Sequence, residues 1–146
     1  MATPSEIRRL AFQVLFQLDL RGGVDAHEVR ASLTEQGAFT ERERSDAFEA
    51  ACAAWGGRAE ADAAMLELAP GWPTHRQAAV DRAILRLAHH ELTRGTAPPK
   101  SVINDAVELA KAFSTERSPA FVNALLDRIM KRPAPAGRLS APPEPA

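Results

Sequence analysis

Three observations predict an all-α chain folded as a compact domain of packed helices. Tyrosine is absent and isoleucine infrequent, so residues that favour strands are scarce, while Ala, Leu, Glu and Arg dominate. Apolar residues recur at helical spacing in one segment after another. These segments are set off by capping pairs, glycines and prolines, and none carries a convincing strand signal.

In the first element, from Ser5 to about Arg21, Ile7, Leu10, Ala11, Val14, Leu15 and Leu18 form one stripe that stops at Gly22-Gly23. A short second helix is expected from Asp25, capped with the help of Glu28, to Gln36, with Gly37 as its stop. Thr40 and Glu43 form a further capping box. The stripe it opens runs through Phe48, Ala51, Cys52, Trp55, Ala59, Ala63, Leu66 and Ala69, with a kink at Gly56-Gly57. After the break at Pro70, Gly71 and Pro73, a fourth helix is expected from His75 to Arg94, with Val80, Ala83, Ile84, Leu87 and Ala88 inside and Gly95 beyond its end. Pro98-Pro99 lead into a fifth, carrying Val102, Ile103, Ala106, Val107, Ala110 and Phe113. Ser118 as N-cap and Pro119 as first helical residue open a sixth, with Val122, Leu125, Leu126 and Ile129 inside. Each apolar stripe needs another helix to cover it, which makes residues 1–132 one helical domain. Residues 133–146, a Pro/Ala-rich stretch, are expected to be a disordered tail.

Composition narrows the function. A net charge of −1 rules out a globally basic nucleic-acid binder and leaves room for a local basic patch. The single cysteine, Cys52, forms no internal disulfide and no cysteine-rich metal site. No apolar run approaches the roughly 18 residues of a membrane span, and no signal core opens the chain, so a cytoplasmic protein without membrane contact is expected. Neither a nucleophile set against a base, nor ligands at metal-binding spacing, nor a phosphate-cradling glycine loop is present; the reading is a protein that is not an enzyme and takes no cofactor or metal. The four histidines read as surface residues, and adjacent His89 and His90 project about 100° apart. Glu91 falls on the apolar face of its helix, where it reads as a structural carboxylate accepting hydrogen bonds from a helix terminus or an arginine.

Helix one carries a sharper clue. Phe12 and Phe16 lie about 130° and 170° from the centre of its stripe, beside Arg8 and Arg9. Aromatic and basic groups side by side suit base stacking with phosphate contact, or a partner groove; equally, the helix is central and buried on several sides. Lys100, Asn104 and Lys111 point within about 40° of one another on helix five, as a solvated face or as part of a binding surface. The STERSPAF loop, residues 114–121, adds hydroxyls, Arg117 and the amides of a helix N-terminus, with Phe121 at the edge of the last stripe.

The segments RRLAFQVLFQLD (Arg8 to Asp19), AVDRAILRLAHHEL (Ala79 to Leu92), PKSVINDAVELAKAF (Pro99 to Phe113) and SPAFVNALLDRI (Ser118 to Ile129) resemble the NusB family of transcription antitermination factors in sequence and order. The resemblance implies a NusB-like domain of two packed helical bundles and a role in antitermination during ribosomal RNA transcription. It implies as partners boxA RNA, the small-subunit ribosomal protein acting as NusE, and the RNA polymerase antitermination complex. By position, the family's RNA side maps onto Arg8, Arg9, Gln13, Lys111, Arg117, Ser118 and Phe121. Phe16, which stands where the family usually has an exposed Tyr, and Asp81 map to the protein partner, and the outward direction read for Phe12 places it with them. Glu6 stands where many relatives have a further Arg or Lys, and Ser101 where they prefer Val, which implies fewer phosphate contacts and a shallower salt dependence. An rRNA cytosine methyltransferase shares this fold in its N-terminal domain, but that reading needs a cofactor-binding domain downstream of the proline-rich tail. A protein-binding scaffold without RNA contact is the third reading.

Overall fold

The first helix, α1 (Pro4–Leu20), begins where Thr3 and Glu6 satisfy each other's backbone amides in a capping box, with proline in its first turn. That start belongs to a computed structural model that describes residues 1–132; the expected tail lies outside the described residues. Six further helices follow: α2 (Ala26–Ser32), α3 (Glu41–Gly56), α4 (Arg58–Leu68), α5 (Ala79–Arg94), α6 (Pro99–Phe113) and α7 (Ser118–Lys131). Short 3-10 turns, Leu33–Glu35 and Thr74–Arg76, precede α3 and α5, and the described residues contain no strand. The helices form two bundles, α1 to α3 and α4 to α7, joined where α1 lies along α5.

Several expected boundaries hold. Thr40 and Glu43 form the capping box of α3, and Gly95 ends α5 in a left-handed conformation. Others change for local reasons. The long third helix is two helices separated at Gly57, and the buried face is Ala47, Ala51 and Ala54 on α3 with Ala61 and Met65 on α4. These small side chains let α3 approach α1 closely, so Phe48, Cys52 and Trp55 sit at the margin of the core and Leu66 is exposed. Asp25 does not cap α2 with its side chain; it adopts φ 60°, ψ 30° in the tight turn begun by Gly22 and Gly23. Helix α5 starts at Ala79 rather than His75, because Thr74–Arg76 coil into a 3-10 turn, and the carbonyls of Thr74 and of Gln77 just beyond it accept from Arg82.

Helix α5 is enclosed on most of its circumference: Ala83, Ile84, Leu85, Arg86, Leu87, Ala88 and His89 are all buried. His89 is therefore a core residue, at 5% exposure, and not the surface histidine expected. His90, half-buried beside it, has its pKa lowered, first by burial and then by the positive charge of Arg94.

Ion pairs fix α5 against α1. Arg8 of α1 donates through Nε to Glu91 of α5 at 2.7 Å and through Nη1 to Asp105 of α6, which also accepts from Ser5 at 2.9 Å. Glu91 is thus the structural carboxylate expected. Burial works against the charge on Arg8, but the bonds and charges of Glu91 and Asp105 outweigh it and hold the guanidinium above its ordinary pKa. At the opposite end Asp19 accepts from Arg82 at 2.9 Å and from Arg86 at 3.3 Å, and Arg86 continues to Asp62 of α4 at 2.9 Å. Residue 8 meets 91 while 19 meets 82, so the two helices run antiparallel.

The turn after α1 is fitted to an aromatic ring. Gly23 has φ +84°, and a Cβ there would stand 2.7 Å from Nε1 of Trp55. Two guanidiniums approach the indole itself, that of Arg58 4.0 Å from the ring centroid and that of Arg86 5.6 Å from it.

Two stability outcomes follow. Glu91→Gln leaves Arg8 with half of its charge complement in a largely buried site and is expected to lower unfolding free energy by about 2 kcal/mol, read by chemical denaturation. Gly23→Ala combines backbone strain with a clash and should cost about 2 kcal/mol or more, whereas Gly22→Ala, at φ +66° with open space around its Cβ, should cost about 1 kcal/mol. Equal losses at the two glycines would show that the contact with Trp55 contributes nothing.

Candidate nucleic-acid interface

The outward strip of α1 is narrow. Its buried residues Leu10, Ala11, Phe12, Val14, Leu15 and Leu18 cover more than half of the helical circumference. Ser5, Arg9, Gln13, Phe16 and Leu20 remain on the outer side, with Gln13 and Phe16 half-buried and the others exposed. Helix α6 lies alongside, and its last residue, Phe113, rests on Phe12 with ring centroids 5.4 Å apart. The Arg9 guanidinium sits over the Phe113 ring, 4.9 Å from its centroid. Phe12 and Phe16 complete the group at 6.4 Å.

Phe12 is therefore not an outward-facing partner contact: it is 3% exposed, because α1 is central and α6 closes over that side. The alternative of a helix buried on several sides is the one realised there. Arg8 likewise does not present its charge to solvent. It lies near the edge of the apolar stripe, within reach of Glu91 and Asp105, and both carboxylates engage it. Arg9, one residue on and about 100° around the helix, is the free-facing arginine.

The turn between α6 and α7 forms the second part of the surface. Lys111 is exposed and pairs with Glu108 at 3.1 Å, one turn earlier on its own helix. Thr115, Glu116 and Arg117 are exposed. Phe121 is half-buried and packs against Trp72, centroids 3.9 Å apart and ring planes tilted by 44°, while the Trp72 indole donates to the Arg76 carbonyl at 3.1 Å.

Two expected contact residues turn inward here. Ser118 is 2% exposed and is the first residue of α7 rather than its N-cap; its hydroxyl donates to Asp81 at 2.9 Å. Asp81 is also 2% exposed, which corrects its placement on a partner-facing surface. It stands in the first turn of α5, where helix amides favour a carboxylate, and accepts from Ser114 as well, at 2.7 Å.

Phe113 and Trp72 are the residues that sequence reading missed. Phe113 continues the α6 stripe and reads as core, but it is the final helical residue and overhangs the end of the bundle, at 37% exposure. Its position as the last aromatic before a helix stop was the available signal. Lys100 and Asn104 are exposed on the outer face of α6.

A groove of about 240 Å³ between α1, α3 and α5 is lined by Pro4, Ile7, Ala11, Ala50 and Leu87, with the Arg8–Glu91 pair at its edge. It falls below the range of about 300–1,000 Å³ usual for small-molecule sites. Among the described residues, no three His, Cys, Asp or Glu side chains gather as a metal site requires, and no helix is long and apolar enough to cross a membrane.

The NusB family model matches residues 5–131. Transcription antitermination protein NusB of Herpetosiphon aurantiacus is 37% identical over 131 residues, covering 87% of this chain and 89% of that protein. Its counterpart from Symbiobacterium thermophilum is 39% identical over 132 residues, covering 85% and 86%. Among solved structures, T. maritima NusB superposes with a TM-score of 0.79 at 32% identity, over 94% of this chain and 98% of that one. A chain from the crystal structure of antitermination factors NusB and NusE in complex with dsRNA gives 0.75 at 28% identity, over 87% and 95%. With the family match spanning every helix from α1 to α7 and relatives covered over most of their own length, the chain belongs to the NusB family.

Proposed function

We propose that the chain is a non-catalytic antitermination factor. It binds the boxA element of ribosomal RNA leader transcripts jointly with the small-subunit ribosomal protein acting as NusE, within the RNA polymerase antitermination complex in the cytoplasm. The RNA lies along Arg9, Gln13 and Phe113, then over the α6–α7 turn with Lys111, Arg117 and Phe121. Phe16, further along the outer strip of α1, faces the protein partner.

The observation that carries this reading is Arg9 held over an exposed Phe113. A guanidinium ordered against an aromatic face offers a charge for a phosphate and a platform for a base in one place, and unpaired bases are recognised by that combination. The likeness to a NusB solved with NusE and dsRNA supports the choice of partners. Because the whole chain carries a net charge of −1, its attraction for RNA has to come from such local clusters, and moderate affinity raised by a protein partner follows.

Fluorescence anisotropy with a boxA RNA, with and without NusE, tests the reading. NusE is expected to tighten binding. Arg9→Ala, Lys111→Ala and Arg117→Ala should each weaken it and lower the slope of log K against log salt by about one. Phe113→Ala should weaken it by about 10-fold through lost stacking, with little change in slope. Arg8→Met should lower the melting temperature instead. No tightening by NusE, together with unchanged binding in the Arg9 and Arg117 variants, would overturn the proposal and favour a scaffold that binds protein alone.

A further inference from the structure

The buried carboxylate of Asp81 has no evident task in the core. Among the described residues no cation pairs with it: its two oxygens accept from the hydroxyls of Ser114, at 2.7 Å, and Ser118, at 2.9 Å. Those hydroxyls lie 2.8 Å from each other, and Thr115 Oγ1 approaches Ser118 Oγ at 3.2 Å. Ser114 is the C-cap residue just beyond α6, and Ser118 is the residue on which α7 begins. Both ends of the turn are thus tied to one point on α5, and the three residues between them carry Arg117 outward.

We infer that Asp81 is a positioning residue for RNA binding: with Ser114 and Ser118 it clasps the α6–α7 turn so that Arg117 and Lys111 meet the RNA backbone in register. This rests on the binding surface proposed above. Hydroxyl–carboxylate bonds are short, directional and roughly twice as strong as neutral ones, and the first turn of α5 supplies amides that stabilise the charge without a competing arginine. The clasp also accounts for the burial of Asp81 and Ser118 at a surface where both were expected to touch partners: they shape the contact without entering it.

Position 114 offers a discriminating pair of replacements. Its backbone is extended, φ −122° and ψ −163°, which β-branched side chains accept, and its side chain is only half-buried. Threonine retains the hydroxyl, and valine has the same shape without it. The experiment uses the full chain with the boxA RNA by anisotropy across a salt series, well below each variant's melting temperature. NusE binding without RNA is measured beside it by calorimetry. Ser114→Val is expected to lower RNA affinity by about 5- to 10-fold and to flatten the salt slope by about one contact, and Ser114→Thr to restore both. Asp81→Asn should reproduce the valine result. The Asp81→Asn/Ser114→Val double variant should be no weaker than either single one, since all act through one clasp. NusE binding should be unchanged throughout. A change in folded fraction alone would not move the slope, so a purely structural role predicts parallel salt lines. Parallel lines, equal affinities for the valine and threonine variants, or a loss of NusE binding in step with RNA binding would each overturn the inference. A wild-type chain that fails to bind the RNA overturns the binding surface itself, and the clasp with it.

Discussion

The antiparallel contact between α1 and α5 is the constraint on which the rest of the molecule depends. It is apolar along its length and charged at both ends: Arg8 meets Glu91 at one, and Asp19 meets Arg82 and Arg86 at the other. The apolar stretch supplies most of the stabilisation, because burial scales with area and is indifferent to direction. The ionic ends supply direction. A reversed or shifted pairing would strand Arg8 or Asp19 without its counterpart in a partly buried site, a penalty of several kcal/mol. Through Asp105 and Asp62 the same charges reach α6 and α4, so the two bundles are set by one pair of helices.

This arrangement divides the cations between fold and surface. Arg8, Arg82 and Arg86 have their guanidiniums engaged by carboxylates of other helices. Arg9 is engaged by an aromatic ring, Lys111 by a glutamate on its own exposed face, and Arg117 stands in a turn. The second group can exchange its present contacts for phosphate at little expense, since exposed pairs contribute about 0–1 kcal/mol. The first cannot. A chain with nearly balanced charge thereby keeps a small basic edge next to aromatic rings.

Local sequence was informative where one segment determines its own structure. The stripe of α1, the capping box at Thr40 and Gly95 beyond α5 depend on residues three or four apart, and local sequence captures them. The resemblance carried by INDAVELAKAF and FVNALLD, at residues 103–113 and 121–127, reached the family. The site was less legible because it depends on which helix covers which side. Arg8 and Arg9 differ only by about 100° of rotation, and the carboxylates that capture Arg8 lie more than eighty residues away. Phe12 reads as outward from α1 alone and becomes interior once α6 is placed. Asp81 and Ser118 are polar residues near a loop, a pattern that points to the surface; the hydroxyl–carboxylate contact that buries them spans 37 positions. Burial of Ala47, Ala51 and Ala54 in place of larger neighbours reflects close helix approach, which hydrophobicity ranking does not register.

The two tryptophans sit in contrasting environments, and the chain has no tyrosine. Trp55 lies close to two guanidiniums where α3, α4 and α5 converge, whereas Trp72 packs against Phe121 beside the α6–α7 turn. Its near-ultraviolet emission is therefore the sum of two local signals, one from the joint between the bundles and one from the edge of the basic surface. Replacing one indole isolates the other, so that chain opening and events at the turn become separately visible in the same molecule without an attached dye.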